Sequence, residues 1–382
     1  MPPAFALFAA CQPGLEPLLA RELAALGAEP RATAGGVAFA GDLRLAMHSC
    51  LWLGTASHLM LRLAEFRCRA LGELERIVAE LSWREWLRPN VAVEVRAASR
   101  GSRVYHTGAV AERVESAIST ALGAAPPAPI SADSAVARIH ARFSRDVCTI
   151  SLDASSTPLH RRGYRLDGAK APLREDLAHA LVLACGWTPE LALLDPFCGS
   201  GTIAIEAAAL ARGLAPGRLR PPALEHLALF DSSAWREVAE AAAPNTRAPQ
   251  ISASDRDAGA IAAACSNAER AGVADAIEFK HGAVTTHPWF QPGASKPERG
   301  VLVTNPPYGH RISEANKLQT LYQALGHRAG RLGAGWRVAI LAHDVRLARR
   351  TGLTLHAAFT TKHGGLAVTA LTGAASPAES AS

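Results

Sequence analysis

Two stretches of the chain carry residues whose types and spacing could do chemistry. The first is Leu193-Leu-Asp-Pro-Phe-Cys-Gly-Ser-Gly-Thr202. It reads as a strand, a turn and the start of a helix. Ligands of open α/β sheets bind at the carboxyl ends of the strands. Gly199 and Gly201 let backbone approach such a ligand closely, and free amides at a helix N-terminus can face a carboxylate. No Gly-Lys-Ser/Thr follows, which excludes a P-loop. An acid at the strand end and the Pro-Phe-Cys insert are foreign to a dinucleotide fingerprint. The second stretch is Asn305-Pro-Pro-Tyr308, directly after an apolar strand. Two prolines cannot continue a parallel strand, so they form a stiff turn. The Asn305 amide oxygen and the Pro306 carbonyl are two acceptors for the two hydrogens of an amino group. Acceptors outside the plane of an aryl amine draw its nitrogen toward tetrahedral geometry and free the lone pair for in-line attack on an activated methyl group. Positioning and preorganised acceptors would then supply the catalysis. Tyr308 could stack on a base that has left its helix.

These stretches need a scaffold, and the pattern after Leu177 provides one. Strands are expected at 191–194, 250–254, 277–280, 300–304 and 336–341, with helices between them, notably 202–212 and 258–271. That alternation predicts a parallel sheet covered on both faces. Segments 353–361 and 366–371 flank a short turn and predict an antiparallel hairpin. Asp255 ends the second strand, placed to accept bonds from both hydroxyls of a ribose. Asp257 suits the N-cap of the next helix. Residues 216–250, with Phe230, Asp231 and Trp235, read as a surface insertion.

The first 155 residues differ. Phe5–Ala10, the leucines from Leu15 to Leu26 and Gly35–Phe39 read as strand, helix and strand, a small α+β module over 1–42. A second module over 43–155 has strands at 91–95 and 148–152 and an amphipathic helix at 110–122. A basic string, His160-Arg-Arg-Gly-Tyr-Arg165, with Lys170 and Arg174, follows; it is either a solvated linker or a phosphate-gripping strip. Residues 373–382 read as a disordered tail.

Bulk composition constrains less. The 382 residues carry a formal net charge of +6, which suits a polyanionic partner without demanding one. Seven scattered cysteines form no C-x-x-C pair, which argues against zinc or a disulfide framework and for a cytoplasmic location. The apolar start has no basic region before it, and no apolar run reaches membrane length.

The glycine loop and the Asn-Pro-Pro-Tyr turn resemble those of the amino-methyltransferases. With Phe5–Gly14, Gly35–Phe39, Trp83–Pro89, Leu159–Arg165, Leu194–Glu206 and Asn305–Arg311, the chain resembles the THUMP-containing bacterial rRNA guanine-N2 methyltransferases, over roughly residues 5–371. The match is to the N-terminal half of the large-subunit 23S enzymes. The resemblance implies a Rossmann-like class I methyltransferase domain over 156–372, behind ferredoxin-like and THUMP modules that bind RNA. It implies S-adenosyl-L-methionine as cofactor, held by Asp195, Pro196, Phe197, Gly199, Ser200, Gly201, Thr202, Asp255 and Arg256. The catalytic turn would be Asn305, Pro306, Pro307 and Tyr308. Arg103, His106, Arg161, Arg162, Arg165 and Lys170 would contact RNA, and no metal is expected. One departure is Ala283, where the family carries an acid near the cofactor adenine; backbone groups would hold the adenine instead. The longer members carry a second methyltransferase unit, so a single modification is expected here. Alternatives are methylation of tRNA guanine, methylation of adenine N6, or an RNA-binding protein with a decayed methyltransferase domain.

Overall fold

The computed structural model describes residues 4–88, 91–123, 136–155, 157–165, 172–241, 249–308 and 315–375. The chain divides into two compact units. One comprises residues 1–11, 20–159 and 220–241; the other comprises 12–19, 160–219 and 242–382.

The first unit is built on a seven-stranded sheet in the order β2-β3-β1-β4-β7-β6-β5. Its strands are β1 (Phe5–Cys11), β2 (Arg31–Thr33), β3 (Gly36–Gly41), β4 (Ala56–Arg67), β5 (Ala92–Arg100), β6 (Val136–Ser144) and β7 (Val147–Asp153). Only β5 and β6 run parallel. β4 pairs with both β1 and β7, so one sheet runs across the boundary expected at residue 42. Asp42 itself caps helix α2 (Leu43–Trp52), accepting from the Leu45 amide at 2.8 Å. The amphipathic helix expected at 110–122 is α5 (Thr107–Leu122), with Val110, Val114, Ala117 and Ile118 buried.

The segment 220–241 corrects the expectation of a surface insertion in the second unit. Leu227 bridges Leu87, the Ala228 amide donates to the Trp86 carbonyl at 2.9 Å, and the Leu224 amide donates to the Ala154 carbonyl at 3.0 Å. Leu224 and Leu227 are fully buried. Apolar residues that reach back to a distant part of the fold read as a loop when their partners lie far away in sequence.

The second unit carries the sheet β10-β9-β8-β11-β12-β14-β13. Its strands are β8 (Ala192–Asp195), β9 (Ile251–Asp255), β10 (Ile277–His281), β11 (Gly300–Thr304), β12 (Trp336–Ala342), β13 (Leu355–His363) and β14 (Leu366–Ala374). The first five are parallel and the last two form the antiparallel hairpin. Counted from β8 the order is 3-2-1-4-5-7-6. β8 and β11 lie side by side at its centre, buried throughout, which is why both read as unbroken apolar runs. Residues 373–375, expected to belong to a disordered tail, are part of the fold. Gly373 and Ala374 pair with β12, and Ala375 is fully buried. No described helix is long and apolar enough to cross a membrane.

Candidate active site

Parallel strands β8 and β11 end together, with Leu194 beside Leu302. Asp195 and Asn305 therefore emerge at the same edge of the sheet. Thr304, the residue before Asn305, donates its hydroxyl to Asp195 Oδ1 at 2.7 Å. The Phe197 amide donates to the same oxygen at 3.2 Å. Asp195 Oδ2 is buried and has no hydrogen-bond partner among the described residues; neither has the buried Ser254 hydroxyl on neighbouring β9. Burial, with the Asp255 charge nearby, pushes the Asp195 carboxyl up to about 7 against the pull of its two donors.

The loop beyond Asp195 is fixed from two sides. The Cys198 amide donates to the Ser254 carbonyl at 3.0 Å and the Gly199 amide to Asp255 Oδ2 at 3.0 Å. Asp255 Oδ1 takes the Asp257 amide at 3.0 Å, and Asp257 caps helix α9 (Ala258–Arg270) through the Gly259 and Ala260 amides. Gly199 and Gly201 have φ of 51° and 82°, a region that favours glycine. Their surroundings differ. A Cβ on Gly199 would meet open space, whereas one on Gly201 would lie 3.0 Å from the Ala264 side chain. Gly201 is thus small because helix α9 packs on it; Gly199 leaves the mouth of the loop clear. Pro196 is buried, Ser200 is half-buried, and Thr202, also buried, opens helix α7 (Thr202–Ala211). Arg256 is exposed, and its carbonyl accepts from His281 Nε2 at 3.1 Å.

In the turn, Pro306 is buried and Pro307 exposed. The Tyr308 hydroxyl donates to Asn305 Oδ1 at 2.6 Å, which fixes the side-chain oxygen assigned to the amine. Burial pushes the Tyr308 hydroxyl up to about 12, so it remains a donor at neutral pH. Two histidines flank the Tyr308 ring. His343 follows β12 with a centroid separation of 6.1 Å, and His363 ends β13 at 6.4 Å. His343 Nδ1 donates to the Ala367 carbonyl at 2.7 Å. Sequence reasoning missed both. His363 reads as part of a hairpin turn, and nothing local marks it as a neighbour of Tyr308.

The RNA candidates separate sharply. Arg103 and His106 are exposed between β5 and α5, and the Arg103 amide is held by Asp146 Oδ1 at 2.8 Å. Tyr105, which sequence reasoning also missed, is 66% exposed, with its ring 4.2 Å from that of His106. Arg161 is exposed as well. Arg162 corrects the expectation of a phosphate contact: it is 1% exposed and its guanidinium pairs with Glu206. Arg165 is half-buried. It donates to Thr202 Oγ1 at 2.6 Å and to the Leu173 carbonyl at 2.9 Å, and lies 3.5 Å from the Glu175 carboxylate. Lys170 lies outside the described residues. Among the described residues no group of three or more His, Cys, Asp or Glu side chains is placed to hold a metal ion.

Comparison with known proteins divides the chain into three consecutive matches. Residues 6–60 match an RlmL ferredoxin-like domain, 68–153 a THUMP domain and 162–370 an RMKL-like methyltransferase domain. The ribosomal RNA large subunit methyltransferase K/L of Syntrophotalea carbinolica is 36% identical over 94% of this chain. The chain spans about half, 52%, of that relative's length. A Synechocystis protein named as a candidate RNA methyltransferase is 33% identical, and the match covers 95% of both chains. Among solved structures, SMU.472, a candidate methyltransferase complexed with SAH, superposes with a TM-score of 0.87 at 27% identity, covering 98% of each chain. With its methyltransferase-domain match spanning more than half of its length, behind ferredoxin-like and THUMP domains, the chain belongs to the RMKL-like methyltransferase family.

Proposed function

We propose that the chain is an S-adenosylmethionine-dependent RNA methyltransferase that modifies the exocyclic N2 amine of a guanine in 23S rRNA. The observation that carries this reading is the juxtaposition at the ends of β8 and β11. A buried carboxylate oxygen of Asp195, without a partner among the described residues, and the amine acceptors of Asn305–Pro306 stand at one sheet edge, linked through the Thr304 hydroxyl.

The residues fit the cofactor. The orphaned Asp195 Oδ2 and Ser254 hydroxyl ask for polar partners, Gly199 leaves the loop open, and Asp255 stands at the second strand end for ribose hydroxyls. S-adenosylmethionine, when bound, supplies an electrophilic methyl group. The chain's own residues do the rest. Asn305 Oδ1 and the Pro306 carbonyl accept the two amine hydrogens and orient the nitrogen lone pair. Tyr308 holds Asn305 by its hydroxyl and offers its ring to the base, with His343 and His363 at its sides. Preorganised acceptors of this kind act without reorganising during the reaction. Arg103, Tyr105 and His106 combine positive charge with an exposed aromatic ring, the pairing that suits RNA phosphates and an unstacked base. The relatives' names support ribosomal RNA as substrate, and the family resemblance supports guanine N2.

Asn305→Ala tests the reading. Turnover should fall about 100- to 1,000-fold, the usual cost of one preorganised acceptor, while SAH affinity stays within a few-fold. Near-wild-type single-turnover rates would remove Asn305 from the chemistry. Nucleoside analysis of unmodified 23S rRNA and tRNA after reaction separates N2-methylguanosine from N6-methyladenosine.

A further inference from the structure

Helix α7 starts at Thr202, immediately after the glycine loop, and carries Glu206 one turn on. Glu206 is 4% exposed. Its oxygens meet Arg162 Nε and Nη2, both at 3.2 Å, and His179 Nδ1 at 3.0 Å, with the Tyr164 hydroxyl at 3.5 Å. Burying such a group costs several kcal/mol per ion, and an apolar pair would join the two segments as firmly. An ion pair adds a defined register instead, and the neighbouring bonds show what is being registered.

Successive residues of the string serve different parts of the loop. Arg162 and Tyr164 reach Glu206. Arg165 donates to the Thr202 hydroxyl at 2.6 Å. The Tyr164 carbonyl accepts from Arg270 Nε at 2.6 Å, and Arg270 in turn bonds Asn267 Oδ1. Asn267 Nδ2 then donates to the Ser200 carbonyl at 3.0 Å. Ser200 and Thr202, the residues on either side of the tightly packed Gly201, are therefore both tied to the same short string. Gly201 itself has φ of 82° and packs on Ala264 of the helix that carries Asn267 and Arg270.

We infer that Arg162, Tyr164 and Arg165, with Arg270 and Asn267, are positioning residues that hold the glycine loop in the conformation its ligand requires. This inference rests on the cofactor reading above. A binding loop built of small residues has little rigidity of its own, and a displacement of about 1 Å is enough to weaken a preorganised site. The network supplies that rigidity from behind the loop, through groups that do not touch the ligand.

Two variants of the full chain test it. Asn267→Asp keeps the acceptor for Arg270 but removes the donor to Ser200. Arg270→Ala changes an exposed residue and leaves Asn267 in place. Isothermal titration with SAH should show affinity about 5- to 10-fold weaker for Asn267→Asp, the worth of one hydrogen bond, and about 3-fold weaker for Arg270→Ala. Amide hydrogen exchange at residues 199–202 should speed up in both. A merely structural role would lower the melting temperature while leaving SAH affinity and loop exchange unchanged at 25 °C, and that result overturns the inference. If Asn267→Asp does not fold, Arg270→Ala decides alone. Failure of the wild-type chain to bind SAH would overturn the cofactor reading instead, and loop exchange in the variants would still report whether the network holds the loop.

Discussion

Glu206 and Asp195 are both buried carboxylates, one behind the glycine loop and one at its start, and their surroundings are opposite. Burial alone would raise Glu206, but the Arg162 charge and the bonds from His179 and Arg162 hold it down to about 2. Asp195 has a hydroxyl, a backbone amide and a neighbouring carboxylate around it, and burial pushes it up to about 7. One carboxylate has its charge answered inside the fold. The other keeps an oxygen without a partner among the described residues, at the strand end where α/β sheets bind ligands. A buried acid with every lone pair engaged marks architecture; a buried acid left wanting marks a site.

Removing the answered charge should have the largest effect. Glu206→Gln removes the carboxylate charge that the buried Arg162 and His179 meet and should cost about 3–5 kcal/mol of stability, read by denaturant melts. A loss below about 1 kcal/mol would mean that another group takes up the Arg162 charge. The sign for pH follows from the depressed value. A free glutamate titrates near about 4.3, so the Glu206 contribution is fully present above that and is lost as pH falls through about 2.

Asp195→Asn should behave in the contrary way. At pH 8 it removes a buried charge that meets no cation among the described residues, so stability should hold or rise. Affinity for S-adenosylmethionine should fall about 10- to 100-fold, the worth of a charge-assisted bond. The folded value of Asp195 is raised, so its stability contribution is greatest below the unfolded value of about 3.9 and is lost as pH climbs through about 7. The proposed cofactor is cationic and selects the ionised form. Its affinity for the wild-type chain should therefore rise about 5- to 10-fold between pH 6 and pH 8, and the Asn variant should be flat. A flat wild-type profile would place Asp195 beside Glu206 as architecture.

The smallest effect concerns surface arginines. Arg100, Arg103 and Arg145 are exposed at one end of the first unit's sheet, where the Arg145 amide donates to the Arg100 carbonyl at 3.2 Å. Changing all three to Gln should leave stability within about 0.5 kcal/mol. It should lower the log–log salt slope of RNA binding by about 0.7–0.9 for each phosphate that is no longer neutralised. An unchanged slope would leave these arginines as ordinary solvated charge.

Those arginines also show where sequence reading stops. The strings around Arg103 and Arg162 have similar composition, and both read as RNA-facing. Arg103 is exposed, whereas in the second string Arg161 is exposed and Arg162 is buried. The difference lies with Glu206, which is 44 residues from Arg162 in the chain. Composition reports that a cation is present and says nothing of whether a carboxylate waits for it elsewhere in the fold. Residues 220–241 pose the same problem with apolar side chains, because Trp86 and Leu87, which they meet, lie far upstream.

Strand period, glycine at positive φ, the Asn-Pro-Pro-Tyr turn and the acids at the ends of β8 and β9 are local properties. The sequence by itself therefore determined the parallel sheet of the second unit, its hairpin, and the residues that line its carboxyl edge. Other features depend on partners distant in the chain: the pairing of Arg162 with Glu206, the tie from Asn267 to Ser200, the histidines beside Tyr308, and the return of residues 220–241 to the first unit. Tertiary structure alone decided these, because an ion pair, a ring contact or a strand bridge is specified by two positions at once, and neither position carries a mark of the other.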